Sequence, residues 1–355
     1  MQRYTIFKEA IDRAETIVIS THIFPDADGI GSQVALCLAL RKLGKNVICV
    51  NEDGLLERYR YLDSENVVIS TEDYLQQMQK VQIHKSSKNK KIKTSPTSSF
   101  DFPREIDLFI VVDVSSPSRI GIKNQILLEN SKNFLFIDHH PCSPAISAIH
   151  CIDTSMAATG QLVGSLILKL GIEIDTKMAL SLYTSILIDT SSFRYPTVTG
   201  ETHRLIGKLL DTGISPPMAY NRIYGTKTLS HLHFLGKILS EVKTTQNGHV
   251  AWMAVREKDI LKYKSDLEDT HAFINHLLVL DEVKVAVMFR DFGPRVKISL
   301  RSNGDLDVGE IAQALGGGGH NHSAATVIEG KLDEVAEQTI HNIELILKSL
   351  TARPR

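Results

Sequence analysis

Along the first half of the chain, short all-apolar runs alternate with segments whose apolar residues recur at helical spacing. FKEAIDRA at 7–14 has that helical spacing and leads into TIVISTH at 16–22, a β-rich run. From Ile30 to Leu43, Val34, Leu38 and Leu43 fall near one helical stripe that Gly44 closes. NVICV at 46–50 follows as a strand. The strand texture returns in DLFIVVDVS at 107–115 and NFLFIDHH at 133–140. Runs this apolar predict parallel strands buried on both faces. TGQLVGSLILKLG (159–171) and KMALSLYTSILID (177–189) supply helical cover.

In the second half, THRLIGKLLDTG at 202–213 reads as a helix closed by Gly213. Pro216 and Pro217 restart the chain, and LSHLHFLGKIL at 229–239 reads as a connecting helix. Beyond it GHVAWMAVR, DEVKVAVMFRDFG, RVKISLRSN and AATVIEG are strand-like, and LDEVAEQTIHNIELILKSL is a long final helix. The expected fold class is α/β. A larger N-terminal domain, residues 1–195, holds a parallel sheet with helices on both faces. A helical linker at 196–240 joins it to a smaller α/β domain at 241–355. No segment repeats at a fixed period, so the two domains are unlike parts.

One stretch interrupts the pattern. HKSSKNKKIKTSPTSSF at 84–100 carries five lysines, no acidic residue and no apolar periodicity. It is expected to be a flexible, solvated insertion in preference to an RNA-gripping arm.

Composition narrows the class. The 355 residues are 43% hydrophobic and 23% charged, enough apolar material for real cores. A net charge of -1 exerts no global pull on polyanions, so any phosphate site must be local. Four cysteines are too few for a disulfide scaffold, and Cys142 and Cys151 lack the CxxC spacing of structural zinc. The first residues lack a signal-peptide apolar core, and no run reaches about 18 apolar residues. A soluble, cytoplasmic protein with no membrane partner is expected.

Chemistry concentrates where apolar runs end. TIVISTHIFPDADGIGS carries His22, Asp26 and Asp28, LFIVVDVSS carries Asp113, FLFIDHH carries Asp138, His139 and His140, and SILIDTSSF carries Asp189. All four read as strand ends, and ligands of open α/β sheets gather outside the carboxyl ends of strands. Each motif alone has a plain structural account. An aspartate after a strand commonly caps the next helix, a histidine can be a hydrogen-bonded edge residue, and Asp138 can orient a neighbour. Together they point to a metal centre, because so many convergent acids would repel without a cation. Asp26 and Asp28 alternate across one small residue, as an extended loop would need to aim both the same way. A carboxylate and imidazole set without cysteine favours Mn²⁺, with Mg²⁺, Co²⁺ or Fe²⁺ open.

Two glycine motifs need separate treatment. GIG at 29–31 lacks the third glycine of a dinucleotide fingerprint, Val34 standing in its place. Its expected role is a tight turn opening a helix near Gly31–Ser32, whose free N–H groups could hold an acidic loop or a phosphate. GGGGH at 316–320 could bring backbone N–H groups, including those of Gly318 and Gly319, close to an anion, with His320 beside them. It could equally be an exposed hinge. Arg301, Ser302 and Asn303 end a strand-like run, and Arg301 suits bidentate contact with phosphate. The two sets read together predict a substrate clamped between the domains.

The blocks HIFPDADGIGS (22–32), VVDVSS (111–116), IDHH (137–140) and IDTSSF (188–193) resemble the DHH phosphoesterase superfamily. RSN (301–303) and GGGGHNHSAA (316–325) resemble its associated C-terminal DHHA1 domain. The resemblance organises nearly the whole chain outside the lysine-rich insertion, although Ala325 stands where the family's terminal block has glycine. It implies an enzyme with two divalent cations per chain, Mn²⁺ foremost, which together activate a water for attack on phosphorus. It implies His22, Asp26 and Asp113 as ligands of one cation, and Asp28, Asp113, His139 and Asp189 as ligands of the other, Asp113 bridging. Asp138 would support the site from behind, and His140 would approach the scissile phosphate or leaving oxygen. Arg301, Ser302, Asn303, Gly318, Gly319 and His320 would bind substrate. The compact arrangement resembles the group that hydrolyses RNA of 2–5 nucleotides to 5'-mononucleotides and dephosphorylates 3'-phosphoadenosine 5'-phosphate. Short single-stranded RNA or a nucleotide is the implied partner, and a homodimer the implied assembly. A cyclic or linear dinucleotide phosphodiesterase is the alternative. A nonenzymatic nucleotide-binding protein would require a lost ligand, and none of the family's ligand positions is lost.

Overall fold

A computed structural model describes residues 2–86, 105–225, 227–265, 268–302 and 306–351. The chain folds as two units, residues 1–226 and 227–355. In the first, β1 (Thr16–Ser20), β2 (Asn46–Asn51), β3 (Val68–Ser70), β4 (Leu108–Val112), β5 (Phe134–Asp138) and β6 (Cys151–Ile152) form one parallel sheet. Their order is β3-β2-β1-β4-β5-β6. Ile19 of β1 pairs with Cys49 on one side and Ile110 on the other. Alternate residues serve two cores. Ile17, Ile19, Ile110 and Val112 pack on one face, while Val18, Phe109, Val111 and Phe136 pack on the other. Apart from Phe134 at the start of β5 and the half-buried edge strand β3, the strands are shielded from water on both faces and read as unbroken apolar runs.

Nine helices accompany this sheet among the described residues: α1 (Gln2–Arg13), α2 (Ala27–Lys42), α3 (Thr71–Ser86), α4 (Ile122–Glu129), α5 (Pro144–Ile149), α6 (Thr159–Lys169), α7 (Thr176–Asp189), α8 (Gly200–Asp211) and α9 (Pro216–Tyr220). Helix α2 is buried nearly all round, between the sheet and α6–α7. A Cβ on Gly31 would lie 2.3 Å from the Ser181 carbonyl oxygen, and one on Gly160 would strike the Ser185 hydroxyl. Helix α2 therefore meets α7 backbone to backbone at Gly31, and the α6 backbone at Gly160 meets the Ser185 side chain.

Several boundaries differ from the sequence reading. Helix α2 starts at Ala27, not near Gly31–Ser32, because Asp26 caps it; Gly29 and Gly31 lie inside the helix and provide close approach, not a turn. Strand β3 is too short to show a period, and α3 has too weak an apolar face to stand out in the sequence. Helix α3 also takes in residues 84–86 of the expected insertion, and the remainder, 87–100, lies outside the described residues.

The second unit has a mixed sheet of β7 (Lys243–Thr244), β8 (Val250–Val255), β9 (Val285–Asp291), β10 (Arg295–Ser302), β11 (Gly318–His320) and β12 (Ser323–Glu329). Its order is β11-β12-β10-β9-β8-β7, and only β8 and β9 are parallel. Helices α10 (Leu229–Ser240), α11 (Glu257–Tyr263), α12 (Val308–Ala314) and α13 (Leu332–Thr351) complete it. Phe234 and Ile238 of α10 pack with Phe273 and Met288, while α12 and α13 cover Val287, Ile298 and Leu300. The segment read as a linker, 196–240, is divided between the units. Leu205 and Leu209 of α8 join the first core, and α10 joins the second.

Candidate active site

The strand order reverses direction between β1 and β4, which are neighbours although two strands separate them in the chain. At such a reversal the loops leaving the two strands run apart, which is where ligands of open α/β sheets bind. His22 follows β1 and Asp113 follows β4, and their Nε2 and Oδ2 atoms are 3.4 Å apart. Asp113 adopts φ +63, a left-handed conformation that aspartate tolerates, while its N–H bonds to the Ile137 carbonyl at 3.0 Å. Strand β5 ends in Asp138, with His139 and His140 directly after it.

Asp26 and Asp28 arrive by a helix start, not by the extended loop expected. Asp26 Oδ1 accepts the N–H groups of Asp28 (2.9 Å) and Gly29 (3.2 Å), so the helix-cap role and the site position coincide in one side chain. Asp28 Oδ1 accepts from Gly160 N–H (3.0 Å) and from the hydroxyls of Ser32 and Ser185. Its Oδ2 accepts from Thr159 N–H at 2.9 Å and lies 3.8 Å from His139 Nε2. The N-terminus of α6 thus points at a buried carboxylate. Asp189 is the last residue of α7, so it ends a helix and not a strand. The fully apolar ILI before it looks the same in either element. Its Oδ2 is 3.1 Å from His139 Nε2.

Three groups of ligand-type atoms result, each within 4.8 Å: His22, Asp26 and Asp113; Asp28, His139 and Asp189; Asp113, His139 and His140. Asp113 belongs to the first and third, which places it at the middle. Both outer histidines are oriented by carbonyls, His22 Nδ1 lying 2.8 Å from Ile23 O and His139 Nδ1 3.2 Å from Met156 O. A carbonyl only accepts, so Nδ1 carries a proton and Nε2 is the nitrogen turned toward the carboxylates. Asp138, fully buried, accepts His140 Nδ1 at 2.6 Å and the N–H groups of His139 and His140.

The charges are at odds with burial. Burial raises the Asp26 and Asp28 carboxyls above their ordinary range, and the charge of Asp113 raises them further. For Asp113 burial pushes the same way, but the hydrogen bond from His22 and the nearby imidazoles prevail and hold it well below that range. His22 rises to about 9, since Asp113 and Asp26 outweigh the desolvation that would lower it. His140 also rises, Asp138 and Asp113 outweighing its burial.

Sequence reasoning missed Thr159, whose hydroxyl donates to Asp113 Oδ1 at 2.9 Å while its N–H serves Asp28. It also missed Ser185 and the Met156 carbonyl. The only signal was the small polar residues Ser181, Thr184 and Ser185 inside an otherwise apolar helix.

In the second unit, β10–β12–β11 pairing places Arg301, Ser323 and His320 in one cross-strand row. The Ser302 hydroxyl faces inward, donating to the carbonyls of Leu306 (2.6 Å) and Asn321 (3.2 Å) beside the His322 ring, so it holds the loop. Asn303 lies outside the described residues. The glycine run is not a free cradle. A Cβ on Gly317 would lie 2.2 Å from Ala325 O, and one on Gly319, at φ +149, would lie 2.4 Å from Ala324 Cα. These two glycines are required by the edge strand's own packing, whereas a Cβ on Gly318 would meet nothing.

The N-terminal domain of the DHH family matches residues 16–186, and the DHHA1 domain matches 259–349. The chain belongs to the DHH family. It is a phosphoesterase of the DHH–DHHA1 arrangement. A Thermus thermophilus relative named bifunctional oligoribonuclease and PAP phosphatase NrnA is 29% identical over 92% of this chain and 89% of its own. The protein of that name from Bacillus subtilis is 24% identical over 94% and 95%. An uncharacterized Mycoplasma genitalium protein, MG371, is 32% identical over 65% and 69%. The crystal structure of an exopolyphosphatase-related protein from Bacteroides fragilis superposes with a TM-score of 0.82 at 24% identity, covering 98% and 97%, a likeness of fold. No helix among the described residues of this DHH protein is long and apolar enough to cross a membrane.

The DHH site fits divalent cations. Its donors are imidazole nitrogens oriented by carbonyls and carboxylates whose pKa burial and mutual repulsion raise, which is the set a cation neutralises.

Proposed function

We propose that this DHH phosphoesterase hydrolyses RNA of 2–5 nucleotides to 5'-mononucleotides and dephosphorylates 3'-phosphoadenosine 5'-phosphate to AMP. The convergence of His22, Asp26, Asp28, Asp113, His139 and Asp189 carries the reading. The NrnA-named relatives, matched along nine-tenths of the chain, support the substrate class. In this reading His22, Asp26 and Asp113 hold one cation and Asp28, His139 and Asp189 hold the other, with Asp113 shared and Mn²⁺ preferred. A bound cation pair supplies Lewis-acid activation of water and neutralises the charge that builds on phosphorus.

The chain's own residues do the rest. Ser32, Ser185 and the Gly160 N–H hold Asp28 by Oδ1, while Oδ2, steadied by the Thr159 N–H, is the oxygen that faces His139. Asp138 fixes Nδ1–H of His140, leaving Nε2 to donate to a phosphoryl or leaving-group oxygen. Arg301 and His320 bind a phosphate of the substrate, and the protein works as a homodimer.

A substrate panel tests this. Dinucleotide and pentanucleotide RNA, a 20-mer, 3'-phosphoadenosine 5'-phosphate and a cyclic dinucleotide are each incubated with Mn²⁺ or with chelator. The dinucleotide and pentanucleotide should give the highest kcat/KM, the phosphoadenosine should lose phosphate, and chelation should abolish both. A cyclic substrate preferred by more than about 10-fold, about 1.4 kcal/mol of transition-state discrimination, would overturn the assignment. Preference for the 20-mer would do the same.

A further inference from the structure

The loop from β1 to α2 carries an aromatic side chain that the catalytic cluster does not use. Phe24 is 80% exposed, the most exposed large hydrophobic residue among those described. Its φ is +53, a conformation that bulky L-residues rarely adopt. Pro25 follows and restricts it further. The conformation is held from both sides. Ile23 N–H bonds to the Arg119 carbonyl at 2.8 Å, the Ile23 carbonyl is engaged by His22 Nδ1, and Asp26 is locked as the cap of α2.

Turn geometry alone would be met with less strain by glycine or asparagine, which accept positive φ. Phenylalanine adds one thing to this position, an exposed aromatic face. That face lies two residues from His22 and two from Asp26, at most about 7 Å of extended chain in either direction. A nucleotide's base hangs one sugar away from its phosphate, a comparable span. The same loop is stitched to Arg119, an exposed residue with no ion pair among the described residues.

We infer that Phe24 is a stacking platform for a nucleobase of the substrate whose phosphate occupies the His22–Asp26–Asp113 cluster. The inference rests on the proposed nucleotide substrate and adds to it a contact that reads the base. Every base has a π-face, so the contact favours nucleotides over other phosphate esters without selecting a sequence.

The test uses the full chain loaded with Mn²⁺ and three variants, Phe24→Asn, Phe24→Gly and Phe24→Trp, with metal content and melting temperature measured for each. Binding is read with a hydrolysis-resistant dinucleotide containing 2-aminopurine, whose fluorescence responds to stacking. Turnover is compared on adenylyl dinucleotide and on the analogue that lacks one base. Phe24→Asn and Phe24→Gly should keep the metal and the fold, and should bind the probe about 10-fold more weakly. Phe24→Trp should restore binding with stronger quenching. The base-less analogue should be turned over within about 2-fold of wild type by all three.

Unchanged probe binding in Phe24→Asn would overturn the inference and leave the phenyl as a turn residue only. Equal losses on base-bearing and base-less substrates would also overturn it, since they signal a displaced loop. Probe stacking in a wild-type chain that cleaves no RNA would uphold the platform while sinking the RNA-hydrolysis reading.

Discussion

Asp138 Oδ1 lies 2.6 Å from His140 Nδ1 and accepts the backbone N–H groups of His139 and His140 at 2.7 and 3.1 Å. One buried carboxylate oxygen therefore fixes both the path of the chain after β5 and the direction of the imidazole that ends it. Asp138 acts through His140, as a positioning residue. Asp138→Asn keeps the shape but can present an N–H where the ring needs an acceptor. Its kcat on dinucleotide RNA should fall about 10²-fold with KM and metal content little changed. The pH profile of kcat should shift as well. A purely structural role for Asp138 would appear as a lowered melting temperature with that profile unmoved.

Asp113 stands between two of the ligand groups. Asp113→Asn should lower bound Mn²⁺ from the proposed two ions per chain to less than one, as read by plasma mass spectrometry. Hydrolysis should drop by about 10³-fold or more. Two retained ions with unchanged turnover would remove the proposed bridging role.

Thr159 ties Asp28 to Asp113 through its N–H and its hydroxyl. Thr159→Val keeps the shape and the N–H but loses the hydroxyl donor, and should weaken Mn²⁺ affinity about 10-fold in a chelator competition. Thr159→Ser should restore it. Equal affinities in the valine and serine variants would show that the hydroxyl is irrelevant.

Arg301 and His320 share a cross-strand row in the second unit, whereas the metal-type clusters belong to the first. Arg301→Ala and His320→Ala should leave bound metal unchanged and raise KM for short RNA about 10-fold. Hydrolysis of bis-p-nitrophenyl phosphate should change by less than about 2-fold. Proportional losses on both substrates would argue against a substrate-binding role.

The contact between α2 and α7 at Gly31 tests the packing that carries the site. A methyl group there meets the Ser181 carbonyl at 2.3 Å, and a backbone atom cannot swing aside. Gly31→Ala should destabilise the protein by about 2–3 kcal/mol in denaturant unfolding. A change below about 0.5 kcal/mol would show that the helices can separate freely.

The sequence by itself determined the parallel sheet, because strands buried on both faces must be apolar at every position: Ile17–Ile19 and Phe109–Val111 show it without any period to decode. It also determined where polar chemistry could collect, since His22, Asp113 and His139 each follow such a run. Tertiary structure decided what short periods could not. Asp26 and Asp28 converge through a capped helix start, a choice that depends on α2 docking beside β1 and α6. The glycine run at 316–320 resembled an anion cradle, yet Gly317 and Gly319 answer to Ala325 and Ala324 across the tight β11–β12 hairpin, a close packing that only the folded strands show. Thr159 and Ser185 became visible only in the fold. Their hydrogen bonds to Asp28 span 131 and 157 positions of chain, and no local pattern encodes a partner that far away.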